Sequence, residues 1–343
     1  MGLSDDTPPW ISVVVPAHNA QKTIDHCLQA LTCQTVPRES YEIVVVDDGS
    51  SDDTVVRVRQ HSGVRLVGTP CRGPSAARNL GVQQARGELV LFTDSDCEPA
   101  PDWIERMVVP FSAATTCPDD RVVGVKGTYL SHQRELVARF VQIEYEDRYD
   151  RMARERYIDF VDTYAAGYRR DVLIANGGFD VSFTRPSVED QEFSFRLARR
   201  GYKMVFVPEA HVYHSGHARN LPAYWRKKFW IGYWKVRVHV RHPGKVWRDS
   251  HTPQVLKVQI LLAGLGGLGL CGALIFPRLW PGVVSAGLLF LLTTLPFTWK
   301  AWRKDARVGI AAPGLLLVRA LALGSGFALG VLSNLLKPLM GRA

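Results

Sequence analysis

Sulfur is scarce in this chain, and acid is missing from one long stretch. Its 343 residues include six Cys, at 27, 33, 71, 97, 117 and 271, and no C-x-x-C pair. This spacing argues against a disulfide scaffold or a thiolate zinc site, and it predicts free thiols in a reducing compartment. Residues Met1–Trp10 are polar and acidic and lack a signal-peptide pattern, which predicts that the domain behind them stays in the cytosol. Between Arg219 and Arg248 there is no Asp or Glu, against nine Lys and Arg. The formal net charge of +9 is therefore concentrated locally, as a surface for an anionic partner would be. Apolar residues are also uneven: residues 1–250 read as a mixed soluble domain and 255–337 as strongly apolar.

Short β-branched runs punctuate the first part. Ile11-Ser12-Val13-Val14-Val15 ends at Pro16, and Glu42-Ile43-Val44-Val45-Val46 ends at Asp47-Asp48-Gly49-Ser50. A third run lies at Val64–Val67, and a fourth, Glu88–Thr93, ends at Asp94-Ser95-Asp96. Between them, Ile24, Cys27, Leu28 and Leu31 have helical spacing, a helix is expected from about Asp52, and Gly73-Pro74-Ser75 opens another through Gln84. This alternation predicts an α/β domain: a parallel sheet with helices on both faces. Ligands of such sheets bind at the carboxyl ends of the strands, so the acidic clusters at 47–48 and 94–96 are expected to converge on one crevice. Each cluster alone also has the composition of a turn and helix N-cap. Their recurrence at successive strand ends favours a ligand site. A D-x-D at a strand tip suits a divalent cation carrying a diphosphate, and the pair Glu189-Asp190, expected to open a later helix, suits a general base.

Taken in order, Val13–Asn19, Val46–Thr54, Ala76-Ala77-Arg78-Asn79-Leu80-Gly81, the D-x-D, Gly177-Gly178-Phe179-Asp180 and Glu189-Asp190 resemble the inverting family 2 glycosyltransferases over about residues 10–217. The resemblance implies a GT-A fold, a Rossmann-like mixed sheet that binds a nucleotide-sugar. It implies that Asp48 binds the nucleobase with Asp47 supporting the turn, that Pro16 and Ala17 border the nucleoside, and that Arg78 faces the base or diphosphate. It further implies that Asp96 holds Mg²⁺ or Mn²⁺, with Asp94 and Ser95 toward the ribose or donor sugar. Asp190 would be the catalytic base, with Glu189 near the acceptor. His214 sits where some relatives place a further metal ligand, although an ordinary strand-end histidine fits the sequence equally well. Processive synthases of this family carry Q-x-x-R-W after the acidic pair. This chain reads Tyr224-Trp225-Arg226-Lys227-Lys228-Phe229-Trp230 instead, which favours transfer of a single sugar.

Residues 218–250 form a basic aromatic segment. On a helix, Trp225, Phe229, Tyr233, Val236 and Val240 share one face, while Arg226, Lys227, Lys228, Lys235 and Arg237 fall elsewhere. That pattern predicts an interfacial helix with its cations on lipid phosphates. Basic plus aromatic residues also suit nucleic acid, but the apolar region that follows argues for membrane lipid and no nucleic-acid partner. In residues 251–343, the runs 255–276, 282–299 and 315–336 each approach the roughly 20 residues that cross a bilayer. The segment Lys300–Arg307 carries four basic residues and Pro277–Pro281 one. The positive-inside rule then puts residues 1–254 and 300–307 in the cytosol, with Lys337 and the C-terminus outside. Ala322, Gly326 and Gly330 make a face suited to close helix packing. Arg319 is expected either to snorkel to the interface or to bind a lipid phosphate.

The expectation is a membrane-bound inverting glycosyltransferase. It would use a UDP- or GDP-sugar and a lipid-linked acceptor, either polyprenyl phosphate or a lipid-linked glycan. The alternatives are a transferase extending an exported polysaccharide and a catalytically silent scaffold of a glycan assembly complex.

Overall fold

The computed structural model describes residues 11–112, 121–183, 187–246 and 249–340. Met1–Trp10, Cys117, Arg248 and the side chain of Lys337 lie outside the described residues. The chain divides into two compact units, residues 1–132 with 149–216, and residues 133–148 with 217–343.

The first unit is built on strands β1 (Ile11–Ala17), β2 (Tyr41–Asp47), β3 (Val64–Gly68), β4 (Leu89–Phe92), β5 (Cys97–Pro99), β6 (Val122–Leu130), β7 (Ala166–Arg169) and β8 (Lys203–His214). Its helices are α1 (Ile24–Thr32), α2 (Thr54–Arg59), α3 (Pro74–Gln84) and α4 (Trp103–Ser112), then, after α5 (Leu136–Met152), α6 (Arg170–Ala175) and α7 (Glu189–Arg199). The boundary between the units falls within α5.

The strands form one sheet in the order β3-β2-β1-β4-β7-β6-β8-β5. β1 pairs in parallel with β2 and β4, and β2 with β3. β7 runs antiparallel to β4 and β6, so the sheet is mixed, and the parallel reading holds for its first four strands. Val13, Val14 and Val15 have no exposed surface, which accounts for the continuous apolar run of β1: a central parallel strand is covered on both faces. Gly81 of α3 lets that helix lie against β1, because a Cβ there would stand 2.2 Å from Val14 Cγ1.

The second unit contains the remaining part of α5 with α8 (Leu221–Arg241), α9 (Gln254–Ala273), α10 (Trp280–Lys304) and α11 (Ala306–Met340). Three helices, Gln254–Ala273, Pro277–Lys304 and Ala306–Leu335, are long and apolar enough to cross a membrane. The basic segment 300–307 is almost wholly helical. Only Asp305 interrupts it, accepting from the backbone N–H groups of Arg307 and Val308 to start α11. Its cations pair with α5: Lys300 with Asp147 at 3.0 Å and Lys304 with Glu146.

Three expectations for this unit need correction. The expected apolar stripe of α8 is not one lipid-facing surface: its Val236 is buried, Phe229 and Tyr233 are half-buried and Trp225 and Val240 are exposed, while Tyr224, Lys228, Gly232 and Val238 are buried as well. Glycines decide this, because they let α8 and α11 touch backbone to backbone. A Cβ at Gly232 would lie 2.3 Å from Leu323 O, and one at Gly326 would lie 2.0 Å from Phe229 O. The small-residue face of α11 is thus used as expected, with α8 as its partner. Second, Lys228 is buried and pairs with Glu144 at 3.0 Å, so it does not project to lipid phosphates. Third, Arg319 neither snorkels nor waits for a lipid: its guanidinium donates to Glu144 (2.9 Å) and Gln259 (2.8 Å). An internal carboxylate satisfies both cations where the apolar surroundings would otherwise make them costly. Tyr224 also donates to Glu144, at 3.0 Å. Burial would push the Glu144 carboxyl up, but Lys228, Arg319 and Arg148 together hold it down at about 2.

Candidate active site

The site lies at the carboxyl ends of β1, β2 and β4, where the parallel strands release their chain into turns. At the first turn Asp48 N donates to Ala17 O (2.8 Å), locking the ends of β1 and β2 together beside Pro16. The Asp47 carboxylate accepts from Ser50 N at 3.3 Å, within the turn that follows β2. The Asp48 carboxylate is buried and accepts from Arg72 N and Gly73 N, each at 2.9 Å. It therefore shapes the loop that opens α3, and each oxygen keeps a lone pair for a further donor. Two neighbours were not singled out from sequence. His18 Nδ1 lies 2.8 Å from Asp48 O, and ligand atoms of His18, Asp48 and Cys71 lie within 4.8 Å of one another. The strand-end motif pointed to Asp48, but nothing in the sequence spacing pointed to Cys71.

The D-x-D follows β4. Asp94 Oδ1 accepts from Arg78 at 3.1 Å, while Ser95 occupies the turn between Asp94 and Asp96. Asp96 Oδ2 stands 3.1 Å from His214 Nε2 at the end of β8. Gly216 is required here, since a Cβ on it would come within 2.5 Å of Asp96 Oδ2 and 2.7 Å of His214 Nε2. Asp94, Asp96 and Cys97 present ligand atoms within 4.8 Å of one another. With the imidazole nitrogen of His214 beside them, these oxygens suit Mg²⁺ or Mn²⁺. The structure thus brings His214 to the D-x-D, which the sequence left undecided.

Arg78 departs from the expectation that it faces a base or diphosphate. Its side chain is buried, donating to Asp94 on one side and to Glu189 Oε1 (2.9 Å) on the other. Two carboxylates engage the two terminal amino groups of the planar fork, so Arg78 clamps the D-x-D to the start of α7. Glu189 is correspondingly an internal partner: its Oε2 accepts from Ser187 N (2.8 Å), and it is not presented to an acceptor. Asp190 is the half-buried member of the pair, with Oδ1 accepting its neighbour's N–H from Gln191 at 2.7 Å. Burial, then Glu189 and Asp162, push the Asp190 carboxyl well above the usual carboxylate range, against the pull of Arg78. Burial likewise raises Asp94, with Arg78 opposing.

The Gly-Gly-Phe-Asp stretch has a structural purpose. Gly177 and Gly178 adopt φ of +73° and +63°, conformations that a Cβ disfavours. The Asn79 side chain accepts from Phe179 N and donates to Phe179 O, both at 2.8 Å. Arg196 of α7 donates to Gly178 O at 2.9 Å. The turn therefore fastens α3 to α7 and holds Arg78 and Asp190 in register.

Comparison with known proteins bears on the family and the fold. A sequence profile described as Glycosyl transferase family 2 matches residues 12–177, and one described as Glycosyl transferase family group 2 matches residues 116–323. Glycosyltransferase AglE of Haloferax volcanii is 30% identical over 240 residues, covering 68% of this chain and 75% of that protein. Pre-mycofactocin glycosyltransferase of Mycobacterium tuberculosis is 27% identical over 275 residues, covering 77% of this chain. The match spans only 55% of the mycobacterial protein's own length. Among solved structures, the mannosyltransferase PcManGT of Pyrobaculum calidifontis, in complex with GDP-Man and Mn²⁺, aligns with a TM-score of 0.58 and 18% identity over 95% of this chain and 88% of that one. At that identity the likeness is one of fold, and it is the GT-A-like fold.

Proposed function

The chain belongs to glycosyltransferase family 2, and from that premise we propose that it is an inverting, metal-dependent enzyme that moves a single sugar from a UDP- or GDP-sugar to a lipid-linked acceptor at the cytosolic leaflet of a membrane. The observation that carries this reading is the Arg78 clamp, which unites the diphosphate-type acidic motif and the acidic pair of α7 in one site. Asp48, Pro16 and Ala17 at the first turn would take the nucleoside. Asp96 and His214 would hold the cation, with Asp94 toward the donor sugar. A divalent cation supplies charge neutralisation for the departing diphosphate without a proton transfer.

Asp190 would take the acceptor's proton. Its Oδ1 is engaged by backbone, leaving Oδ2 for an acceptor hydroxyl, and its raised proton affinity suits a base working near neutral pH. The acceptor oxygen forms its bond to the anomeric carbon as the bond to the diphosphate breaks, and attack from the opposite face inverts the centre. A phosphate acceptor is already an anion and would depend less on Asp190. The mannosyltransferase neighbour binds GDP-Man with Mn²⁺, which supports a nucleotide-sugar and a divalent cation here. Three membrane-length helices on the same chain support an acceptor delivered in lipid, and the cations of the 300–307 segment support a cytosolic catalytic unit. The lack of Q-x-x-R-W supports single-sugar transfer.

The test is nucleotide release by the full-length protein in lipid, with Mg²⁺ or Mn²⁺ and a panel of nucleotide-sugars, with and without polyprenyl phosphate. Release that requires polyprenyl phosphate and falls at least ~100-fold in Asp96→Ala is the expected result. Release indifferent to that lipid moves the acceptor to a preassembled or exported glycan. Absence of release with every donor leaves the scaffold reading.

A further inference from the structure

A lysine sits in the middle of the apolar strand β6, and no step described so far uses it. Lys126 has no exposed surface. Its ammonium is paired with the Asp162 carboxylate and donates to Tyr164 Oη at 2.6 Å. Tyr164 Oη is in turn 2.8 Å from Tyr149 Oη, which accepts from Tyr129 N at 2.8 Å. The Tyr164 ring stacks on Tyr129, which stacks on His214, at centroid distances of 3.3 and 4.4 Å. The ammonium is thus held on several sides and has little freedom to swing away from Asp162.

Asp162 matters because of what it faces. Val161 N donates to Ser194 Oγ (3.1 Å), and Ser194 Oγ donates to Asp190 O (2.8 Å), so the 161–162 segment is tied to the first turns of α7. The charged and titratable groups around Asp190 are Glu189 on its own helix, Asp162, Arg78 of α3 and Tyr168 of β7. Glu189 has Arg78 as its direct cation, and Asp162 has Lys126.

We propose that Lys126 is a positioning residue for the transfer reaction, holding and neutralising Asp162 so that Asp190 can carry its negative charge at working pH. This rests on Asp190 being the base proposed above. Without Lys126, the Asp162 charge would face Asp190 uncompensated and disfavour its ionisation. Without Asp162, ionisation would be easier. The two changes therefore move the same titration in opposite directions, which a general loosening of the site would not do.

The experiment is the pH dependence of kcat/KM for nucleotide release in full-length wild type, Lys126→Met, Asp162→Asn and the double variant. The acid limb is expected to rise by about one pH unit or more in Lys126→Met, to fall by a similar amount in Asp162→Asn, and to return toward wild type in the double variant. An unmoved limb in a Lys126→Met protein that melts as wild type does overturns the proposal. If that variant does not fold, Asp162→Asn decides, and an unmoved limb there overturns it too. A readout independent of turnover is the melting-temperature difference between each background and its Asp190→Asn counterpart, followed against pH. Undiminished transfer by Asp190→Asn would sink the base assignment alone. The melting comparison would still show whether removing Lys126 displaces the Asp190 titration upward, and no displacement overturns the proposal.

Discussion

Replacing Glu144 by Ala should be among the most damaging single changes in the second unit, although the residue is far in sequence from the acidic motifs. Glu144 is the shared anion for Lys228 and Arg319, both of which are buried. Its carboxyl falls from an ordinary value of 4.5 to about 2. At about 1.4 kcal/mol per pH unit, that difference corresponds to roughly 3 kcal/mol of stability in the charged form. Lys228 moves against this: burial, only partly offset by Glu144, pulls it from 10.5 down to about 8. The desolvation of these buried ions offsets much of their mutual attraction, so the cluster as a whole adds little stability. Removing Glu144 alone is different, because it strands two buried cations, and that typically costs about 3–5 kcal/mol. The expected loss in melting temperature is on the order of 10 °C. Lys228→Met should cost far less, because it leaves Glu144 and Arg319 as a balanced pair.

The signs with pH follow. Glu144 has a depressed folded value, so its contribution is present above pH 4.5 and is lost as the pH falls toward about 2. Lys228, a base with a depressed folded value, makes wild type gain stability as the pH rises from about 8 to 10.5. Lys228→Met should lack that rise. The assay is thermal unfolding of lipid-reconstituted protein against pH. A Glu144→Ala variant as stable as Lys228→Met would refute the reasoning.

Two other changes separate catalysis from folding. Asp190→Asn should lower turnover by about 10²–10⁴-fold toward a hydroxyl acceptor. It should also raise the melting temperature at neutral pH, because a carboxyl whose folded value is raised opposes folding once ionised; a lower melting temperature at intact activity contradicts both roles. Gly178→Ala places a Cβ at φ +63° and 2.4 Å from Asn79 Oδ1, and a loss of at least about 1–2 kcal/mol in unfolding free energy is expected. An unchanged unfolding curve would show that the turn does not fasten α3 to α7.

Much of the nucleotide-binding half was legible because its signals are local. The runs that became β1 and β2 announce themselves by β-branched residues buried on two faces, β4 by a short run that is wholly apolar, and the edge strand β3 by a shorter, half-buried run. The acidic clusters announce themselves by following those runs directly. The opening of α7 at Glu189 and the three membrane-length helices are likewise written in contiguous stretches. The buried face of α8 was not legible. Periodicity marks which residues share a face, but the choice of face depended on Gly232, Gly326 and Gly330 allowing backbone contact with a helix about a hundred residues away.

Partnership followed the same division. Sequence by itself determined which residue types stand at the strand ends, and that Asp94 and Asp96 follow a strand while Asp190 opens a helix, because strand endings and helix starts are set by neighbours in the chain. Only the tertiary structure decided that Arg78, already beside Asp94, meets Glu189 across 111 residues, that Glu144 neutralises Arg319 across 175, and that His214 meets Asp96 across 118. The physical reason is that a buried charge must find its counter-charge wherever packing brings one, and that requirement depends on distance in space and leaves no periodic mark along the chain.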